Sequence, residues 1–199
     1  MTCKTRIESY EDLTEDIVRW LKDYYWMHSG NIKAFVVGVS GGIDSAVVST
    51  LCAKTGLPTY VVRMPLESTH ANSKLSDIHA EALAEKYDNV TNVQVELSSP
   101  YYHFMHSVKW WSDAQHFDKD EFTGNELANA NTKSRMRMLL LYQIAGSKGG
   151  IVVGTGNKVE DYGIGFFTKY GDGGVDIAPI ADLYKTEVWE LGKHLGVDE

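Results

Sequence analysis

Two glycine-rich segments contain the residues of this sequence best suited to meet a phosphate. In the first, Gly38, Val39, Ser40, Gly41, Gly42, Ile43, Asp44 and Ser45 (GVSGGIDS) follow a short apolar run. Glycines 38, 41 and 42 permit close backbone approach and unusual dihedrals, so several N–H groups can converge on an anion. The positive end of a following helix and the Ser40 and Ser45 hydroxyls would reinforce them. A tight strand-to-helix connection is the plain alternative for any glycine turn. The order Ser-Gly-Gly-Ile-Asp-Ser is more specific than that, and it has neither the lysine of a Walker loop nor the spacing of a dinucleotide fingerprint. The second segment, residues 169–174 (KYGDGG), makes another turn able to approach a ligand, with Asp172 projecting from it.

These residues need a scaffold, and the hydrophobic pattern supplies one. Leu13, Ile17, Val18, Trp20, Leu21 and Tyr24 recur at helical spacing behind the possible caps Ser9 and Thr14. Short apolar strands are expected over 34–38, 59–64, 92–96 and 150–154, and helices over 45–54, 73–87, 126–147 and 185–195. Alternating strands and helices with buried apolar strands predict an α/β fold: a doubly wound parallel sheet with helices on both faces, Rossmann-like in type. In such a sheet ligands bind beyond the carboxyl ends of the strands, where the 38–45 loop would lie. Residues 98–123 carry Tyr101, Tyr102, Phe104, Trp110, Trp111 and Phe117 without a clean period, and read as a long connection packed by its aromatics. The histidines within it lack the carboxylate or cysteine spacing of a metal site.

The Ser40–Ser45 order resembles the SGGxDS signature of the N-type ATP pyrophosphatases. That superfamily includes NAD, GMP and asparagine synthetases and tRNA-thiolating enzymes, on an adenine nucleotide alpha hydrolase-like fold. Residues 154–160 (GTGNKVE) followed by 165–176 (GFFTKYGDGGVD) resemble the NAD synthetases in particular. Residues 129–137 (NANTKSRMR) are similar to that family's basic helix start, N-I-K-A-R-x-R, with Ala130, Asn131 and Thr132 departing slightly. The resemblance runs from the first strand to Lys185. It implies cleavage of ATP between its α and β phosphates, with the 38–45 loop holding pyrophosphate, Thr155 and Lys185 touching ATP, and Asp44 joined by Glu160 on Mg2+. Arg135, Lys169 and Asp176 would contact deamido-NAD, and Asp172 would steer or deprotonate ammonia.

Each role has a physical counterpart and an alternative. A carboxylate beside polyphosphate can complete the coordination of Mg2+, but Glu160 alone could be a solvated loop acid. Arginine binds phosphate bidentately, which suits Arg135, while Arg137 reads as a supporting residue. Arg63, at the end of the second strand, lies either beside a nucleotide or as a strand-end charge reaching water. Phe166 and Phe167 read as packing. The activity implied is amidation of deamido-NAD by ammonia through an adenylate. Its rivals are a GMP synthetase-like domain, which would not carry GFFTKYGDGG, and an ATP-binding module without turnover.

With 199 residues, 43% of them hydrophobic, the chain is expected to form a single domain over 1–199. Nineteen Lys and Arg against 27 Asp and Glu leave a net charge of −8, which argues against nucleic-acid binding. Cys3 and Cys52 lie far apart, and no apolar run approaches the roughly 20 residues that span a bilayer, so a cytoplasmic protein is expected. About thirty residues precede the first strand, too few for a glutaminase domain, and this points to free ammonia. The family continues beyond the position of Glu199, so the chain is expected to lack its C-terminal segment. The resemblance also implies a homodimer, to which Tyr24, Tyr25 and Trp26 could contribute.

Overall fold

The computed structural model describes residues 6–28, 31–67, 70–118 and 121–197, with 70–73 described by backbone alone. Cys3 lies outside them. The first helix, α1 (Tyr10–Met27), is capped by Ser9, whose side chain accepts from the Asp12 N–H. Thr14 is not a cap: it lies inside the helix and its hydroxyl donates to the Tyr10 carbonyl. The chain continues through β1 (Phe35–Val39), α2 (Ile43–Lys54), β2 (Thr59–Arg63), α3 (His70–Lys86) and β3 (Val90–Gln94). Then come α4 (Ser98–Ala114), α5 (Glu126–Lys148), β4 (Ile151–Val153), a π-helical turn over Val159–Ile164 and α6 (Lys185–Leu195).

All pairings are parallel and the strand order is β3-β2-β1-β4, with Phe35 opposite Thr59 on one side and Ile151 on the other. Alternation along β1 explains why helices cover both faces. Phe35 and Val37 pack with Val47, Leu51, Val188 and Leu191 under α1, α2 and α6. Val36 points the other way and joins Val62, Val152 and Ala145 beneath α5. Cys52 is buried in the first of these layers, and burial pushes its thiol pKa up. The chain winds from β1 outward to β3, then returns to place β4 on the other side of β1. The C-terminal ends of β1 and β4 therefore form the switch-point crevice.

Two sequence expectations change. Residues 98–114 form a helix, α4, rather than an irregular connection. Its inward stripe is Tyr101, Met105, Val108 and Ser112 at helical spacing, the outer two buried and the middle two half-buried, but exposed aromatics between them hide the period. Tyr102, Phe104, Trp110 and Trp111 are exposed, so the expected burial of the aromatics holds for Tyr101 and not for these. The third strand begins at Val90, two residues before the expected start, with Val90 as its buried member and Val95 beyond its end.

Candidate active site

The helix that follows the first glycine loop starts earlier than the sequence pattern indicates, at Ile43, with Gly42 as its N-cap. Asp44 and Ser45 therefore stand in the first helical turn, beside the positive end of the helix. Gly41 adopts φ 88°, a conformation open chiefly to glycine. The serines close the loop on itself: Ser45 Oγ donates to the Gly42 carbonyl at 2.9 Å and accepts from the Ser40 N–H at 3.2 Å. The loop is thus shaped before any ligand arrives.

Asp44 is the meeting point of three distant segments. Its Oδ1 accepts from Asn157 Nδ2 at 3.1 Å, and its Oδ2 is bonded by Lys185 Nζ, 141 residues further along the chain. Lys185 also reaches Glu160 Oε1 at 3.1 Å. Burial alone would lower the Lys185 ammonium, but the hydrogen bonds and charges of Asp44 and Glu160 outweigh it and hold the group above an ordinary lysine. Asn157, fully buried, also accepts from the Val159 and Glu160 N–H groups at 3.0 and 3.2 Å through its Oδ1. It caps the turn that presents Glu160 and ties that turn to Asp44. Sequence reading gave Asn157 no role, although an Asn just before an acidic turn is a capping signal.

Around this junction lies a cavity of about 170 Å³ lined by Asp44, Glu160, Asp161 and Asp172 among others. Burial, reinforced by the charges of Asp172, Glu160 and Asp44, raises the Asp161 carboxyl. Ser40, Thr155 and Asp172 are shared with a larger cavity of about 530 Å³ at the ends of β1, β2 and β4. Its walls are mainly apolar, from Met64, Leu66, Met138, Leu141 and Val175. Arg137 lines it too, and donates from Nε and Nη2 to the Met64 and Leu66 carbonyls at 3.4 and 3.3 Å, the supporting role expected for it. At the rim Glu67 accepts from Lys133 and from the Tyr102 hydroxyl, which together hold its carboxyl low.

The second glycine segment is fastened to α5. Arg135 donates from Nε to the Lys169 carbonyl at 3.2 Å, and both Arg135 and Lys169 are exposed beside the larger cavity's Gly171 and Asp172. Two residues read from sequence as ligand contacts are engaged elsewhere. The Arg63 guanidinium is bonded by Asp77 and by Asn92 Oδ1, and it lines neither cavity. Asp176 Oδ2 accepts from the Val152 N–H at 2.7 Å and its Oδ1 from the Tyr142 hydroxyl at 3.1 Å, so the side chain pins the edge of β4. Phe166 and Phe167, expected to pack, are exposed, and Phe166 forms part of the wall of the smaller cavity.

The family model for NAD synthase matches residues 13–199. The NH(3)-dependent NAD(+) synthetase of Carboxydothermus hydrogenoformans is 38% identical over 96% of this chain and 72% of that protein. Its counterpart in Sulfolobus acidocaldarius is 38% identical over 94% of this chain and 61% of its own. Among solved structures, an NMN synthetase from Francisella tularensis superposes with a TM-score of 0.82 at 35% identity, covering 96% of this chain and 73% of that one. The NH3-dependent NAD synthetase of Campylobacter jejuni, in complex with nitrate, gives 0.80 at 29% identity, covering 96% and 75%. With a parallel sheet of the same type and a family match over nearly its whole length, the chain belongs to the NAD synthase family.

Proposed function

We propose that this chain amidates deamido-NAD with ammonia, converting ATP to AMP and pyrophosphate, in a site built from the two glycine segments and the Asp44, Lys185 and Glu160 junction. The observation that carries this reading is the convergence of those three charged groups beside the 38–45 loop at the sheet's switch point. The larger cavity, apolar-walled and joined to the loop through Ser40, suits the adenosine of ATP. The loop and the α2 N-terminus then receive the pyrophosphate.

The donor set also fits Mg2+. Asp44, Glu160, Asp161 and Asp172 line one small cavity, where Lys185 pairs with Asp44 and Glu160, so a polyphosphate needs further positive charge to enter. Among the described residues no three acidic, His or Cys side chains are close enough to cage a metal, which suits a cation completed by phosphate oxygens and water. Asp44 and Glu160 would hold it, and bound there it would neutralise the phosphates. Lys185, tethered to the same two carboxylates, lies where charge develops on the departing pyrophosphate.

The carboxylate of the nicotinate ring attacks the α phosphorus, the bond to the β-phosphate oxygen breaks, and pyrophosphate leaves with the electron pair. Ammonia then attacks the acyl carbon, the bond to AMP breaks, and Asp172 takes a proton from the nitrogen. Arg135 and Lys169 neutralise the dinucleotide phosphates. No covalent bond to the protein forms, so the chain contributes alignment and fixed charge. We read the chain as one domain, working as a homodimer in the cytoplasm. Supporting a paired form, Trp110, Trp111 and Leu127 leave apolar surface on and beside α4 and α5, while Trp26 does so on α1.

Incubation with magnesium, ATP, deamido-NAD and ammonium tests the reading. NAD and pyrophosphate should appear in equal amounts; ATP bound without pyrophosphate release would leave a binding module instead. A mononucleotide substrate is the second reading, favoured by the fold similarity to an NMN synthetase, and a parallel incubation with deamidated mononucleotide separates the two.

A further inference from the structure

One face of α5 grips the second glycine loop at three points. Thr168 Oγ1 donates to Asn131 Oδ1 at 2.7 Å, Arg135 Nε donates to the Lys169 carbonyl at 3.2 Å, and Ser134 engages Asp172. Positions 131, 134 and 135 are neighbours on a helix surface, so a single rigid element fixes the whole loop. The Ser134 contact is reciprocal: its hydroxyl donates to Asp172 Oδ1 at 2.7 Å and accepts from the Asp172 N–H at 2.9 Å. The Thr168 N–H donates to the same Oδ1 at 2.9 Å. Gly171 brings the loop so close that a Cβ there would collide with Ser134 Oγ.

From this geometry we infer that Ser134 is a positioning residue for the ammonia step: by occupying Oδ1 together with the Thr168 N–H, it locks Asp172 so that Oδ2 is the oxygen presented to the incoming nitrogen. The inference rests on the role of Asp172 proposed above. Asp172 lines both cavities, and Oδ2 has no hydrogen-bond partner among the described residues. A carboxylate on an exposed glycine turn would otherwise sample several rotamers, and only some of them place an oxygen where it can take the proton. Ser134 touches no reacting atom in this scheme. Its effect runs through Asp172 and is confined to the second half of the reaction.

Ser134→Ala provides the test, read in two assays on the full chain. Ammonium-dependent NAD synthesis gives kcat and KM for ammonium, and exchange of labelled pyrophosphate into ATP with deamido-NAD, in the absence of ammonium, isolates adenylation. Loss of the hydrogen bond to the charged carboxylate, together with the one from the Asp172 N–H, predicts a fall of about tenfold or more in kcat/KM for ammonium. Exchange should stay within about twofold and the melting temperature should fall by no more than about 4 °C. Asp172→Asn should abolish most NAD synthesis with exchange retained. A Ser134→Ala protein that matches the unmodified chain in both assays overturns the inference, as does one that loses exchange and synthesis together, since that marks a general loop support. An unmodified chain with neither exchange nor synthesis overturns the functional reading itself, and the inference with it.

Discussion

Replacing Lys185 with Met separates the two tasks its position allows, holding the fold and assisting the reaction. The ammonium stands 3.1 Å from Glu160 Oε1 and also contacts Asp44. At that distance one pair is worth about 5 kcal/mol at an effective dielectric of about 20 and about 1 kcal/mol in bulk water. The Lys185 and Glu160 side chains are 35% and 40% exposed, so the lower figure is nearer the net value. Lys185→Met should therefore cost the unliganded protein no more than about 1–2 kcal/mol, part of it recovered by packing the methionine stem. The reaction should suffer far more. On the proposed function, a cation held by Asp44 and Glu160 would free the ammonium to meet the charge building on pyrophosphate, and removing a preorganised donor of this kind costs about 100- to 1000-fold in rate, or about 3–4 kcal/mol. Urea unfolding gives the first quantity, and pyrophosphate release at saturating magnesium and ATP gives the second. A variant that keeps activity within tenfold, or whose activity loss follows its unfolded fraction, would refute the argument.

Other positions carry narrower expectations. A Cβ on Gly154 would lie 2.7 Å from Val175 Cγ2, so Gly154→Ala should cost about 1–3 kcal/mol by overpacking, and adding Val175→Ala should recover at least half of it in denaturant midpoints. Asp176→Ala would strand the buried Val152 N–H, a loss of about 1–3 kcal/mol; the Tyr142 pKa, raised to about 12 by burial first and then by Asp176, should fall only part of the way in a spectrophotometric titration. An unchanged KM for deamido-NAD in that variant would give Asp176 a structural role alone. Burial lowers the pKa of His79, which lies 2.8 Å from Ser49 Oγ, so the unfolded chain takes up a proton that the folded one resists. Stability should be flat above about pH 6.5 and fall by up to about 1 kcal/mol per pH unit below it, and His79→Gln should remove this dependence in melts at pH 5.5 and 7.5.

The sheet was legible because its signal is local. A run such as FVVGV shows burial on both faces, and the glycine loop after it announces a turn whatever the rest of the chain does. The turn at 38–45 was legible for the same reason, since a glycine-rich connection shows in a few adjacent letters. What escaped depends on distance or on context. The family resemblance names both Asp44 and Lys185, but not their direct ion pair, which only the topology makes across 141 residues. Asn157 looks like any turn asparagine until burial makes both ends of its amide count. Arg63 and Asp176 are polar residues near strand ends, and their bonds to Asp77, Asn92, Tyr142 and the Val152 N–H cannot be read from adjacent letters. In α4 the exposed tryptophans outweigh the buried stripe, because pattern reading takes every large apolar residue as a vote for the core.

The charge distribution gives these pieces a common logic. A chain of net charge −8 that gathers Asp44, Glu160, Asp161 and Asp172 around one cavity repels polyphosphate unless a cation intervenes. Without ligand that repulsion must be balanced from within, and Lys185 does so by binding the two carboxylates that would later hold the metal. Asn157 joins the two loops, donating to Asp44 Oδ1 and accepting from the Glu160 N–H, through contacts that do not involve Lys185. A metal held by Asp44 and Glu160 would take over the balance of their charge and leave the Lys185 ammonium available to the phosphates. A loop lysine of the Walker kind would stay committed to the phosphates throughout. A lysine at the start of α6, bonded to acids from two other loops, can be held back until the charge it is needed for has arrived.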